Sequence, residues 1–223
     1  MLNNPTSIPF DRADSIGFVI RRISGDQWHT GMLYIHEGKA RLRHLCSHNH
    51  LEDEPAEELH YLWTEVAAIG SINKRLIALR LGKGGKNKVP YGVGFLDNGH
   101  YLDKQTLHYT KTELGMGLTC ATYVMEILHT FGFKPFTISE WTPNDGDVHW
   151  QRSILQYFKQ CHPDAEKHFE TEQQNIGSPR FHPQHVTGAG HAEEWPVSKT
   201  DAELLATQVT INYNAVFPQP LMH

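Results

Sequence analysis

The stretch His29-Thr30-Gly31-Met32-Leu33-Tyr34-Ile35, His36-Glu37-Gly38-Lys39, Ala40-Arg41-Leu42-Arg43-His44-Leu45-Cys46 decides how this chain folds. Two apolar runs flank a short polar connector containing glycine, which is the pattern of a β-hairpin. A turn centred between Glu37 and Gly38 pairs residues whose numbers sum to 75. That register sets Cys46 opposite His29 and puts His44 on the same face, one diagonal step away. Gly31, Leu33 and Ile35 share the face with Ala40 and Leu42, so two histidines end an otherwise apolar surface suited to packing on a helix.

Upstream, Ser15 to Ile23 reads as a strand running into the turn Ser24-Gly25-Asp26. Downstream, Leu59, Leu62, Trp63 and Val66 recur at helical spacing after Pro55, with Glu57 and Glu58 in the first turn, and predict a helix from Pro55 to Ile69. A second helical pattern runs through Ile72, Leu76, Leu79 and Arg80 into Gly82-Lys83-Gly84-Gly85-Lys86-Asn87-Lys88, a solvated connector without phosphate-loop spacing. Val124, Ile127, Leu128 and Phe131 follow Cys120 at i+4, i+7, i+8 and i+11, so one helix face is buried until Gly132 stops it. Thr119 stands at the N-cap, which puts Cys120 in the first turn. Further helices are expected in His149 to Lys159 and Asp164 to Gln174. From Asn175 the chain is rich in Pro, Gly and His and is expected to wrap the surface, with Leu204 to Tyr213 its one ordered element. Strands first and helices after, without regular alternation, predict an α+β domain.

A thiol attacks a carbonyl as thiolate, and a helix start helps it in two ways. The local field lowers its pKa, and unpaired N–H groups stand ready for an oxyanion. Cys120 occupies such a start, His29 offers a base on the hairpin, and His44 offers a group to orient it. An inert buried thiol is the alternative for Cys120. His129 lies about two and a half turns along the same helix, out of reach, while His149, His182, His185 and His191 carry no strand pattern. Trp28, Trp63, Trp141 and Trp150 read as core or rim aromatics. His44, Cys46, His48 and His50 alternate along one extended segment, which opens a zinc-binding alternative.

His29-Thr30-Gly31-Met32-Leu33-Tyr34-Ile35, the glycine turn and the strand bearing His44 together resemble the His-x-Gly-apolar-Tyr-apolar hairpin of NlpC-type papain-like cysteine peptidases. Val89-Pro90-Tyr91-Gly92-Val93-Gly94 is similar to that family's Pro-Tyr segment. Here the hairpin precedes the cysteine helix, as in the circularly permuted branch that includes lecithin:retinol acyltransferase-like enzymes. The resemblance covers roughly residues 15 to 135. It implies a papain-like fold with Cys120 as nucleophile, His29 as base, His44 as orienting residue, and Tyr91 and Thr119 as oxyanion or substrate contacts. The activity implied is hydrolysis of an amide, isopeptide or ester bond, or acyl transfer in the same fold. A non-catalytic binding module is the other use of such a fold. Where the family has Asp-Cys-Ser-Gly, this chain has Thr119-Cys120-Ala121-Thr122.

At 223 residues and 39% hydrophobic content, the chain is sized for one core with an appended segment. A catalytic core over residues 1–145 and a helical and irregular extension over 146–223 are expected. The formal charge of −5 comes from interspersed acids and bases, giving no nucleic-acid footprint. No window reaches the roughly 18 apolar residues of a membrane span, and the N-terminus lacks a signal pattern. Three cysteines are too few and too odd for a disulfide framework. A cytoplasmic protein acting on a peptide, isopeptide or acyl substrate, without cofactor or metal, is the expectation.

Overall fold

The structure, a computed structural model, describes residues 2–56, 60–85, 87–97 and 99–218. Five antiparallel strands form one sheet: β1 (Ile16–Ser24), β2 (Gln27–His36), β3 (Lys39–Ser47), β4 (His50–Pro55) and β5 (Leu62–Glu65). Their spatial order is β4-β3-β2-β1-β5. The central hairpin has the register read from the sequence, with Met32 opposite Arg43 and Leu33 opposite Leu42. Glu37 and Gly38, at φ of 49° and 73°, make the tight turn that a twisted hairpin prefers.

Among the described residues six α-helices follow: α1 (Ser71–Lys83), α2 (Cys120–Thr130), α3 (Asp145–Cys161), α4 (Glu166–Glu172), α5 (Pro183–Ala189) and α6 (Lys199–Val216). The helix expected over Pro55–Ile69 is not formed. Pro55 ends β4 and Leu62–Glu65 is β5, paired with Gly17–Ile20 of β1. Glu57, Glu58 and Leu59 lie outside the described residues. The helical spacing there arises because β5 is buried on both faces, with Trp63 on one side and Leu62 on the other, which erases the alternation of a half-exposed strand. After Asn175 the ordered element expected over Leu204–Tyr213 lies within α6, but the stretch as a whole is not a surface wrap. It holds α5 and α6, and Phe181, Val186, Val197 and Ala202 join the core built by Phe18, Met32 and Val124. In α1 the residues that mark the helix in the sequence, Ile72, Leu76 and Leu79, are exposed, and Ile77, Ala78 and Leu81 face inward. No helix among the described residues is long and apolar enough to cross a membrane.

The helices cover one face of the sheet. Ile16, Phe18, Met32, Tyr34 and Leu45 meet Tyr123, Val124, Ile127 and Leu128 of α2, each such apolar side chain contributing about 1.5–3 kcal/mol on burial. The opposite face carries Val19, Leu33, Leu42 and Trp63, capped by Phe10 and Ala13. His29 and His44 belong to this second face, so the apolar surface that they end, read as suited to packing on a helix, is covered instead by Phe10 and Ala13. The larger apolar surface lies on the even-numbered residues of β2, and α2 packs there.

Arg43 pins the two layers together. It points into the helical side with its side chain fully buried, and Nε donates to Tyr123 Oη of α2 at 3.0 Å. Nη1 pairs with Asp53 of β4 at 3.1 Å and donates to the carbonyls of Leu81 and Gly84, while Nη2 donates to Gly85 O at 2.7 Å. The connector after α1 thus caps a buried cation rather than serving as a solvated link, Lys86 lying outside the described residues. Asp53→Ala strands that charge and is expected to lower unfolding free energy by about 3–5 kcal/mol. Arg41→Ala, at the solvent end of the same cluster, costs about 1 kcal/mol or less. Urea denaturation of the two variants measures the difference.

Candidate active site

Two strand-like passages bring Cys120 to its position. Tyr91 bridges Leu118 in parallel, with Leu118 N donating to Pro90 O at 2.9 Å and Gly92 N donating to Leu118 O at 3.0 Å. Gly92 and Gly117 touch so closely that a Cβ on Gly117 would stand 2.4 Å from Gly92 N, so both positions require glycine. From there Thr119 caps α2. Its Oγ1 accepts the N–H of Thr122 at 3.1 Å and the Thr122 hydroxyl accepts the N–H of Thr119 at 2.7 Å. The Thr119 hydroxyl is therefore committed to the cap. Thr119 also stands in the wall of the small cavity beside Cys120.

Cys120 is 5% exposed. The backbone N–H groups of Thr30, Ala121 and Cys120 itself turn toward its sulfur, while burial, the larger influence, pushes the thiol pKa up. The contact with Thr30 is possible because β2 parts from β3 beyond the Met32–Arg43 pair, leaving the His29–Thr30 peptide open to the tip of α2. The thiol and the His29 ring share no hydrogen bond.

The histidines form a relay. His29 Nε2 lies 2.6 Å from His44 Nδ1, and His44 Nε2 lies 3.1 Å from Glu54 Oε1 on β4. A carboxylate only accepts, so His44 Nε2 donates to it. Neutral His44 then accepts at Nδ1, His29 donates from Nε2, and His29 Nδ1 carries the free lone pair. Burial holds His29 well below the usual imidazole range, with His44 and Arg21 adding to the effect. Burial also lowers His44, against the raising effect of Glu54. Gly31 is required beneath this pair because a Cβ there would stand 2.7 Å from His44 Cβ. Tyr61 lies 6.5 Å from both rings and carries the Arg21 guanidinium over its face at 4.8 Å.

Tyr91 shares with Cys120 a small cavity of about 10 Å³, whose walls include Gln27, Trp28, Trp150 and Arg180. Its ring packs on Phe158 at 4.5 Å, and burial pushes its phenol pKa far up, so it stays protonated. His48 accepts the Tyr91 N–H at 3.2 Å and His168 Nε2 donates to Tyr91 O at 2.9 Å. The residues considered for zinc diverge: His44 turns to His29 and Glu54, His48 to Tyr91, and His50 to Glu52. Among the described residues no group of three or more His, Cys, Asp or Glu is set to hold a metal ion. Cys46 lies 3.4 Å from His44 Nδ1, but burial, with Glu52 and Glu54, pushes its thiol up to about 12. Trp63 and Trp141 are core aromatics, Trp141 stacking on Phe181 at 4.3 Å.

Sequence reading missed Glu54 because β4 was not recognised, and Arg180 because it follows Cys120 by sixty positions. It also missed Glu172, whose Oε1 accepts the N–H of Gly117 at 3.0 Å and so fixes the approach to Thr119. The chain matches no known protein family, no curated protein and no solved structure.

Burial raises the Glu172 carboxyl to about 7 from its ordinary 4.5. A carboxyl raised in the folded state favours folding while protonated, so its contribution is full below about 4.5 and is lost as pH rises through about 7. Glu172→Gln keeps an acceptor for Gly117 and removes the titration. Stability measured by denaturant melts from pH 4.5 to 7 should flatten in the variant relative to the parent.

Proposed function

We propose that the protein is a thiol hydrolase that cleaves an amide, isopeptide or ester bond through a thioester on Cys120, with His29 as base and His44 orienting it. The observation that carries this reading is the Glu54–His44–His29 relay, because it leaves an unprotonated Nδ1 on the residue preceding the peptide N–H that meets the Cys120 sulfur. In the reaction the thiol adds to the carbonyl carbon and its proton passes to His29 Nδ1. The oxyanion is met by N–H groups at the start of α2. Collapse breaks the bond to the leaving group, which takes the proton from His29, and water then hydrolyses the thioester by the same steps. Thiol and imidazole both rest uncharged in the buried site, so proton transfer accompanies attack rather than preceding it. The papain-like, permuted NlpC-type assignment belongs to the same proposal and is supported by the order of hairpin and cysteine helix.

The narrow cavity beside the sulfur has room for at most one water, so an acyl group enters only when the walls part. Gln27 Oε1 accepts Trp150 Nε1–H at 3.0 Å and ties the start of β2 to α3 across this entrance. The same closure favours a second reading, a binding module with an inert thiol. Iodoacetamide labelling of Cys120, read by peptide mass spectrometry, separates the two. The hydrolase predicts measurable labelling of the native protein, a fall of at least about tenfold in His29→Ala, and an increase in Gln27→Ala, where the entrance is untied. Labelling of Cys120 only after unfolding, in all three proteins, would establish the inert module.

A further inference from the structure

Beyond the thiol pocket, a cleft of about 330 Å³ opens between α3, α5 and α6, with Trp141, Asp147, Arg180, His182, Lys199 and Thr207 among its walls. Arg180 also lines the cavity at Cys120. Its guanidinium therefore stands between the thiol and the larger space. It lies over the Trp150 ring at 3.6 Å, and its side chain is 13% exposed.

The donor inventory of Arg180 is incomplete. Nη1 alone is engaged, donating to Asp147 Oδ1 at 3.2 Å. Nε and Nη2, the edge that binds a carboxylate side-on, have no partner among the described residues, yet neither is a sealed orphan. Asp147 is shared with other donors: Oδ1 also takes His182 Nε2 at 2.7 Å and Oδ2 takes Asn144 Nδ2 at 2.6 Å. Lys199 lies between Thr142 Oγ1 at 3.3 Å and Glu203, one turn along its own helix, at 4.0 Å, so its charge is already matched. The Nε–Nη2 edge is thus left to a planar oxygen pair.

We propose that Arg180 is the substrate-selecting residue of the site, binding through Nε and Nη2 a carboxylate on the acyl portion of the substrate, which occupies the cleft beside the thiol. This rests on the hydrolase reading for the identity of the reacting group, but the carboxylate site itself does not require the thiol to react. Arginine rather than lysine fits because a fork stacked on an indole fixes both direction and distance, whereas an ammonium fixes neither.

Calorimetric titration of Cys120→Ser protein with glutarate and with its neutral diamide, glutaramide, tests the inference. Glutarate should bind at least about tenfold more tightly than glutaramide, the advantage of a charged bidentate pair. The preference should vanish in Arg180→Gln and fall several-fold in Arg180→Lys, which keeps the charge and loses the fork. Equal affinities, binding of neither compound, or a preference that survives Arg180→Gln would overturn it. Should Arg180→Gln fail to fold, as judged by circular dichroism, the comparison of the two compounds and the Arg180→Lys variant decide the matter. A carboxylate preference without iodoacetamide labelling of Cys120 sinks the hydrolase and leaves the site. Labelling without the preference sinks the site and leaves the hydrolase.

Discussion

The structure depends on one buried cation. Arg43 reaches from the middle of the sheet into the helical layer and distributes its donors among a tyrosine of α2, an aspartate of β4 and three carbonyls at the end of α1. Such a charge is tolerated in the interior only when every donor is met. The requirement fixes four elements against one another at once: β3, β4, α1 and α2. The position of α2 along the sheet follows, and with it the point at which its first residue meets β2. Where the thiol sits is thus set by a group well removed from it.

The site is assembled from both layers rather than from either alone. The helical layer contributes Cys120, held by the Thr119 cap, the Gly92–Gly117 contact and the Glu172 carboxyl. The other face of the sheet contributes His29 and His44, supported by Glu54 and enclosed by Tyr61. The two meet where β2 and β3 separate. A fully zipped hairpin would interpose a continuous ladder between thiol and imidazole. The divergence beyond the Met32–Arg43 pair opens the His29–Thr30 peptide toward the start of α2.

Much of this was legible in the residues because the signals were local. The hairpin register followed from a turn of two residues and an alternating pattern, and the start of α2 followed from Thr119 and the apolar positions after Cys120. The relation of His29 to His44 came with the register. What failed was decided at long range. Leu62 and Trp63 mimic a helix because their strand is buried on both sides, and no spacing reports that. The missed strand β4 took Glu54 with it, so the relay lacked its carboxylate. The face on which α2 packs was misjudged because both faces of the hairpin are apolar, and the choice between them rests on competition with Phe10 and Ala13 from the N-terminal segment. The element expected over Leu204–Tyr213 lies within α6, whereas α5 was missed in a Pro-, Gly- and His-rich stretch whose order is completed by burial of Phe181, Val186 and Ala202.

The seclusion of Cys120 also orders the chemistry of the three thiols when substrate is absent. Oxidants react with thiolates that they can touch. Cys120 is enclosed and its thiol is pushed up by burial, and Cys46 is pushed up to about 12 behind its two neighbouring glutamates. Cys161, at the end of α3, is exposed. Peroxide would therefore consume the thiol at the far end of α3 first, and the one buried at the start of α2 would outlast it, kept in its reduced form by the same walls that a substrate has to displace.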